Sequence, residues 1–257
     1  MKKALLVFAV PAAVLTALLL AYAFYQAMWV APMERTMGEV QRIFYYHVPS
    51  AWTAFLLFFV NLVASVTYLI RRNTRADAVA LVSAEVGVVF CTVVLVTGPI
   101  WARPVWGIWW TWDIRLTTTL VLWLIYVSYL MLRRFSDGAQ TPKLAAVLAI
   151  FGALDVPLVY FSIWFFRTQH PQPVIGGGGS IDPRMLHVLL INWLAFSCLA
   201  LLVGWSRYRL EIMQRDLEEE LALESLLGDG GLPPASAGAS SRTGSLLNRT
   251  SSRMGPG

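Results

Sequence analysis

Trp106, Trp109, Trp110 and Asp113 stand at i, i+3, i+4 and i+7 inside Trp101–Thr117, which reads W-A-R-P-V-W-G-I-W-W-T-W-D-I-R-L-T and holds five of the chain's 11 tryptophans. On a helix these four positions share one face. That face would be an aromatic plate for a flat, apolar ligand, with a carboxylate at its edge. Trp112 and Arg115 would lie off it. Indoles also collect at bilayer interfaces, where the ring is half in lipid and half in water. Anchoring of that kind does not require Asp113 and Arg115 within the cluster.

The chain has three histidines. His47 lies in Y-Y-H-V-P and His170 in T-Q-H-P, each beside an apolar run; His187 opens another such run. Two imidazoles from separate loops can occupy opposite axial positions of a haem iron. His47 and His170 carry that expectation, and His187, nearer the apolar run, could replace either. Arg42, Arg103, Arg115 and Arg184 are candidates to pair bidentately with haem propionates, in no order that the sequence supplies.

The elements that must position these residues are membrane spans. The 257 residues are 57% hydrophobic and 14% charged, with mean hydropathy +0.61. A soluble domain carries about 25% charged residues. Six apolar segments approach the roughly 20 residues needed to cross a bilayer: 4–25, 50–70, 78–100, 116–132, 144–164 and 185–205. The first resembles a signal peptide at its start, but its apolar run is long and lacks a clear small-residue cleavage site, so it is read as a span. Lys2 and Lys3, Arg71, Arg72 and Arg75, Arg133, Arg134 and Lys143, and Arg207 and Arg209 all fall on one side of a six-span arrangement. By the positive-inside rule that side is the cytoplasm. Both termini are then cytoplasmic, and 28–49, 101–115 and 165–184 face outward. The expected fold class is an all-α integral membrane protein of six transmembrane helices, with the Trp-rich segment on the outer face. Arg35, Arg42, Arg103, Arg115, Arg167 and Arg184 oppose the orientation signal and therefore have another job.

Within the spans, Glu85 is read as snorkelling or pairing with a neighbouring helix, and Asp155, deeper and just before Pro157, as facing a polar cavity or partner. Asn61 and Asn192 are expected to hydrogen-bond between helices. Residues 1–208 form the membrane domain in this reading. Residues 209–227, with Leu210, Met213, Leu217 and Leu221 at three- and four-residue steps, form a cytoplasmic amphipathic helix. The Gly/Ser-rich stretch 176–180 is read as a flexible loop and 228–257 as a disordered tail.

The net charge of +5 does not imply nucleic acid, because the basic residues sit in short groups beside apolar spans. Cys91 and Cys198 form no C-x-x-C, no C-x-x-C-H and no zinc spacing, and both read as small buried residues. No G-x-x-x-x-G-K-[ST] is present, so any ATP-driven step belongs to a partner, and no H-E-x-x-H appears.

W-G-I-W-W-T-W-D-I-R-L-T at 106–117 resembles the Trp-Trp-Asp signature of the haem-handling proteins of cytochrome c maturation. Six spans, Y-Y-H-V-P-S-A at 45–51 and D-V-P-L-V-Y-F-S at 155–162 narrow the resemblance to CcmC over roughly 35–205. The resemblance implies that haem b is displayed on the outer face of the bacterial cytoplasmic (inner) membrane, with His47 and His170 as axial ligands. Trp106, Trp109, Trp110 and Trp112 would build the apolar plate, fixed by Asp113 and Arg115. It further implies loading of haem onto the chaperone CcmE with the help of CcmD, and release of loaded CcmE by the ABC transporter formed by CcmA and CcmB. The chain would then present and transfer haem and assist its covalent attachment to CcmE, more a carrier than an enzyme. A CcsA-like haem lyase would show a further intramembrane histidine pair, which the spans lack. A haem transporter would need a polar path, for which Glu85, Asp155 and Asn61 are the available groups.

Overall fold

The computed structural model describes residues 2–136, 138–166, 168–171 and 181–229. Six α-helices follow one another: α1 (Lys2–Tyr25), α2 (Phe44–Arg71), α3 (Thr74–Trp106), α4 (Ile114–Phe135), α5 (Thr141–Phe165) and α6 (Pro183–Asp229). All six are long and apolar enough to cross a membrane. The chain is a multi-pass membrane protein. Among the described residues there is no β-strand, only an isolated bridge between Glu34 and Gly38. The expected linker 176–180, Arg167 and the tail from 230 lie outside the described residues.

The helices overrun the expected spans at most ends. Apolarity marks only the lipid-crossing part, whereas capping decides where a helix stops. Asn73 opens α3 by accepting hydrogen bonds from the Arg75 and Ala76 amides. Arg72, in the left-handed region at φ 52°, closes α2 by donating its amide to the Tyr68 carbonyl. Before α2, residues Gln26–Val30 form a π-helical turn and Glu39–Ile43 a 3-10 turn.

Large apolar side chains cover the outside of the bundle; Ile70 is 76% and Leu201 73% exposed. For a lipid-crossing chain this is the solvated state of an apolar surface. The interior is built by close approach instead. Phe58 on α2 stacks on Tyr126 of α4 with ring centroids 3.8 Å apart. A Cβ at Gly87 would lie 2.7 Å from the Phe58 ring, so α2 and α3 approach as closely as they do because residue 87 has no side chain. A smaller cluster, Ala27, Ala31, Tyr45, Val188 and Leu189, joins the end of α1 to the starts of α2 and α6.

Polar groups inside the bundle are used between helices. Asn61 donates to the Ala80 carbonyl at 2.6 Å and Asn192 to the Ala23 carbonyl at 3.3 Å, as expected. Glu85 pairs with Arg207 at 2.9 Å, the helix-pairing alternative, and Arg207 also reaches Glu211 at 3.0 Å. Asp77 and Arg133 form a buried bidentate pair at 2.6 and 2.7 Å. Asp155 is buried, and its Oδ2 has no hydrogen-bond partner among the described residues; α5 continues through Pro157. Cys91 is buried, Cys198 half-buried, and neither is in a disulfide.

Residues 1–212 and 213–257 form two compact units. In the second, the described residues are helical, and Met213, Leu217 and Leu221 are exposed.

Candidate functional site

The Trp-rich segment is not one helix, which corrects the expected shared face of Trp106, Trp109, Trp110 and Asp113. Gly107 adopts φ 80° and donates its amide to the Arg103 carbonyl at 3.0 Å, terminating α3. Only glycine takes this left-handed position without cost. The Arg103 guanidinium folds back onto the Gly107 carbonyl. Residues 108–113 are non-helical, and Asp113, with extended backbone (φ −60°, ψ 145°), is the N-cap of α4. An αL glycine and a capping aspartate six residues apart leave no room for a continuous helical face. The indoles instead meet edge to face in two pairs, Trp101 with Trp106 at 5.1 Å and Trp110 with Trp112 at 5.8 Å. Trp109 and Trp112 are exposed and Trp106 and Trp110 half-buried.

His47 is also placed differently from the loop position expected. It lies in the first turns of α2, because the preceding 3-10 turn runs directly into that helix. Its Nδ1 lies 2.8 Å from the Thr97 hydroxyl on α3. His170 is in the segment after α5, as expected. Its Nδ1–H donates to the Pro171 carbonyl at 3.0 Å, and its amide donates to the Thr168 hydroxyl at 3.1 Å. Both imidazoles are half-buried, and they and the Arg115 guanidinium lie within electrostatic reach of one another. Burial, and then the Arg115 charge, lower the His170 pKa to about 4; the Pro171 carbonyl and Asp113 act the other way. At neutral pH His170 therefore carries a lone pair. His187 is exposed on α6, and its imidazole makes no hydrogen bond among the described residues. The structure brings His47 and His170 together and leaves His187 aside.

Asp113 joins the two parts. One carboxylate oxygen accepts the Arg115 amide at 2.9 Å, the cap of α4; the other accepts the Gln169 amide at 3.0 Å, beside His170. The cap follows from residue type and position, but the 56-residue link to Gln169 carries no local signal. Nor does the 50-residue contact of His47 with Thr97. Of the candidate arginines, Arg42 pairs with Glu39 and donates to the Ala27 carbonyl at 2.7 Å, and Arg184 pairs with Asp182 at 2.9 Å. With Arg103 on Gly107, three of the arginines that oppose the orientation signal hold their own loops. Arg115 differs: its Nη1 is buried with no hydrogen-bond partner among the described residues, and so is Trp110 Nε1. Buried donors of this kind are costly unless something accepts from them. Among the described residues no three His, Cys, Asp or Glu side chains converge, so a zinc-type ligand set is not built.

Asp113→Asn separates the two roles of the carboxylate. Asparagine retains one acceptor for the cap, and its amide group cannot accept the Gln169 N–H. The helix should stay folded, and protection of the Gln169 amide from hydrogen exchange should fall about tenfold, one hydrogen bond of about 1.5 kcal/mol. Unaltered exchange at Gln169 would show that Asp113 does not hold the His170 segment.

A family model described as heme exporter protein C, CcmC, matches residues 3–223. The chain belongs to the CcmC family. The match extends beyond 35–205 at both ends, to residues 3 and 223. Among curated relatives, "Heme exporter protein C" of Bradyrhizobium diazoefficiens is 36% identical over 203 residues, covering 78% of this chain and 77% of the relative. "Heme exporter protein C" of Escherichia coli K12 is 34% identical over 172 residues, covering 66% and 69%. A "Putative cytochrome c biosynthesis ccmC-like mitochondrial protein" of Marchantia polymorpha is 34% identical over 179 residues, covering 69% and 76%.

Proposed function

We propose that this protein holds haem b at the outer face of the bacterial cytoplasmic membrane, between His47 and His170, and passes it to the chaperone CcmE during cytochrome c maturation. The observation that carries the reading is the joint placement of two imidazoles, each with Nδ1 engaged by an oxygen, beside the buried Arg115 Nη1. The donor set fits haem: two neutral nitrogens for the iron, a guanidinium for a propionate, and indoles of Trp106, Trp109, Trp110 and Trp112 for the macrocycle. Bound haem supplies the reactive porphyrin that the chaperone accepts. The residues of this chain supply binding, orientation and electrostatics. The exposure of Trp109 and Trp112 favours these two for contact with CcmE.

The names of the relatives support haem handling, and the basic residues support the orientation. Arg71, Arg72, Arg133 and Arg134 stand at helix ends opposite in parity to the Trp segment if every helix crosses. CcmD and the transporter formed by CcmA and CcmB are the further partners this reading names. Residues 1–208 are the membrane domain in the same reading, and 209–227, the end of α6, its cytoplasmic extension. Of the three groups available for a path across the membrane, Glu85 is engaged by Arg207 and the Asn61 amide by the Ala80 carbonyl, which leaves Asp155 alone with a carboxylate oxygen unpartnered among the described residues.

Purification with co-expressed CcmE tests the function. The expected result is a low-spin, bis-histidine haem b spectrum on the complex and covalent haem on the chaperone. A complex that carries no haem overturns the proposal.

The pH dependence follows from His170. Because its pKa is lowered in the folded protein, protons favour the undocked or unfolded segment. Stability of the docked segment is complete above about 6.5, falls as pH drops through the window, and declines no further below about 4. Haem titrations at pH 7, 5.5 and 4 should show binding retained at 5.5 and lost near 4. Loss centred at 6.5 would mean that His170 titrates as a solvated imidazole.

A further inference from the structure

Resting on the reading of His47 as an iron ligand, we infer that Thr97 is its positioning residue, holding the Nδ1–H tautomer and so leaving the lone pair on Nε2, the nitrogen that would bind the iron. Thr97 lies on α3, one residue before Gly98, and its hydroxyl approaches two carbonyl oxygens and one ring nitrogen. It donates to the Val93 carbonyl at 2.7 Å, with the Val94 carbonyl at 3.4 Å, and lies 2.8 Å from His47 Nδ1. A hydroxyl has one proton. The back-bond to the carbonyl one turn earlier uses it, as threonines within helices do. The oxygen therefore meets His47 as an acceptor, and Nδ1 carries the hydrogen. The lone pair is then on Nε2.

His170 reaches the same tautomer by another route. Its Nδ1 faces the Pro171 carbonyl, which can only accept. Both histidines thus keep the lone pair on Nε2, one fixed by a carbonyl and the other by a hydroxyl whose proton goes to the Val93 carbonyl. Gly98 completes the seat of His47. A Cβ there would lie 3.5 Å from His47 Cε1, so the ring lies against the helix surface beside Thr97. An oxygen accepting from the remote nitrogen fixes the ring and makes the ligating nitrogen more basic; loss of such a partner typically costs about 10–100-fold in metal affinity. A more basic ligand favours ferric iron and lowers the reduction potential.

The test uses the full chain purified with the haem chaperone, with haem as the probe. Thr97→Val removes the acceptor at nearly constant shape. It should lower haem content about tenfold or more and raise the potential of the haem that remains, while Thr97→Ser restores both. Thr97→Cys, with a poor acceptor, is the second variant and should shift the potential the same way. In the haem-free wild-type protein, ¹⁵N spectra of labelled histidine should show His47 protonated at Nδ1. Protonation at Nε2 overturns the inference without any variant. So does Thr97→Val with wild-type haem content and potential while His47→Ala loses its low-spin spectrum; the ligand reading then survives alone. If His47→Ala keeps the wild-type spectrum, the ligand reading fails and the role of Thr97 fails with it.

Discussion

His47→Ala and His170→Ala, purified with the haem chaperone, should each lose the low-spin bis-histidine spectrum and retain about a tenth of the haem or less. Removing a group that only orients a ligand costs about 10–100-fold, so removing the ligand costs at least that. The loss will not be a folding defect. His47 makes one described side-chain hydrogen bond, to Thr97, and His170 one, to the Pro171 carbonyl. Each is worth about 0.5–1.5 kcal/mol. Melting temperatures should therefore stay close to wild type while the spectrum changes. Unchanged haem content and spectrum in both variants would remove both residues from the ligand set. Loss in one alone would leave the other as a bystander and return His187 to consideration.

Asp77→Ala should lower stability by about 3–5 kcal/mol, the cost of leaving a buried charge without its partner. Asp77 and Arg133 are both largely buried, with side chains 5% and 10% exposed, and they meet through two parallel hydrogen bonds. Their attraction is not necessarily a net gain over apolar residues, but breaking it strands Arg133 in the bundle. Replacing both, Asp77→Leu with Arg133→Met, should recover most of the loss. Thermal unfolding in detergent measures this, and the protein that remains folded should still bind haem, because the pair lies at the other ends of α3 and α4 from the Trp segment. A loss below about 1 kcal/mol would show that water reaches the pair, as at a surface ion pair.

The membrane architecture is legible in the sequence because lipid demands long apolar runs, and six of them are present. Helix ends are less legible. His47 sits inside α2, since helicity continues past the apolar run through Y-Y-H-V-P. The Trp segment misleads for a related reason. Its i, i+3, i+4, i+7 spacing fits a helix, but Gly107 and Asp113 are a stop and a start, and local backbone chemistry overrides periodicity. Those two residues carried the correct signal. Pairings such as Asn61 with Ala80 follow from the cost of unpaired amides in a membrane, which dictates that a partner exists. Contacts such as Asp113 with Gln169 and His47 with Thr97 depend on how the helices dock, and no local pattern encodes them.

The short span between Gly107 and Asp113 behaves like a fixed-length rung. Its two ends are set by a backbone angle and by a carboxylate that grips α4 and the His170 segment together. Exchanging one bulky side chain for another along 108–112 leaves that length intact. Inserting or removing a single residue does not, because the carboxylate can no longer serve both grips. The segment should therefore tolerate spelling changes far better than frame changes, and deletion scanning would reveal it as a ruler.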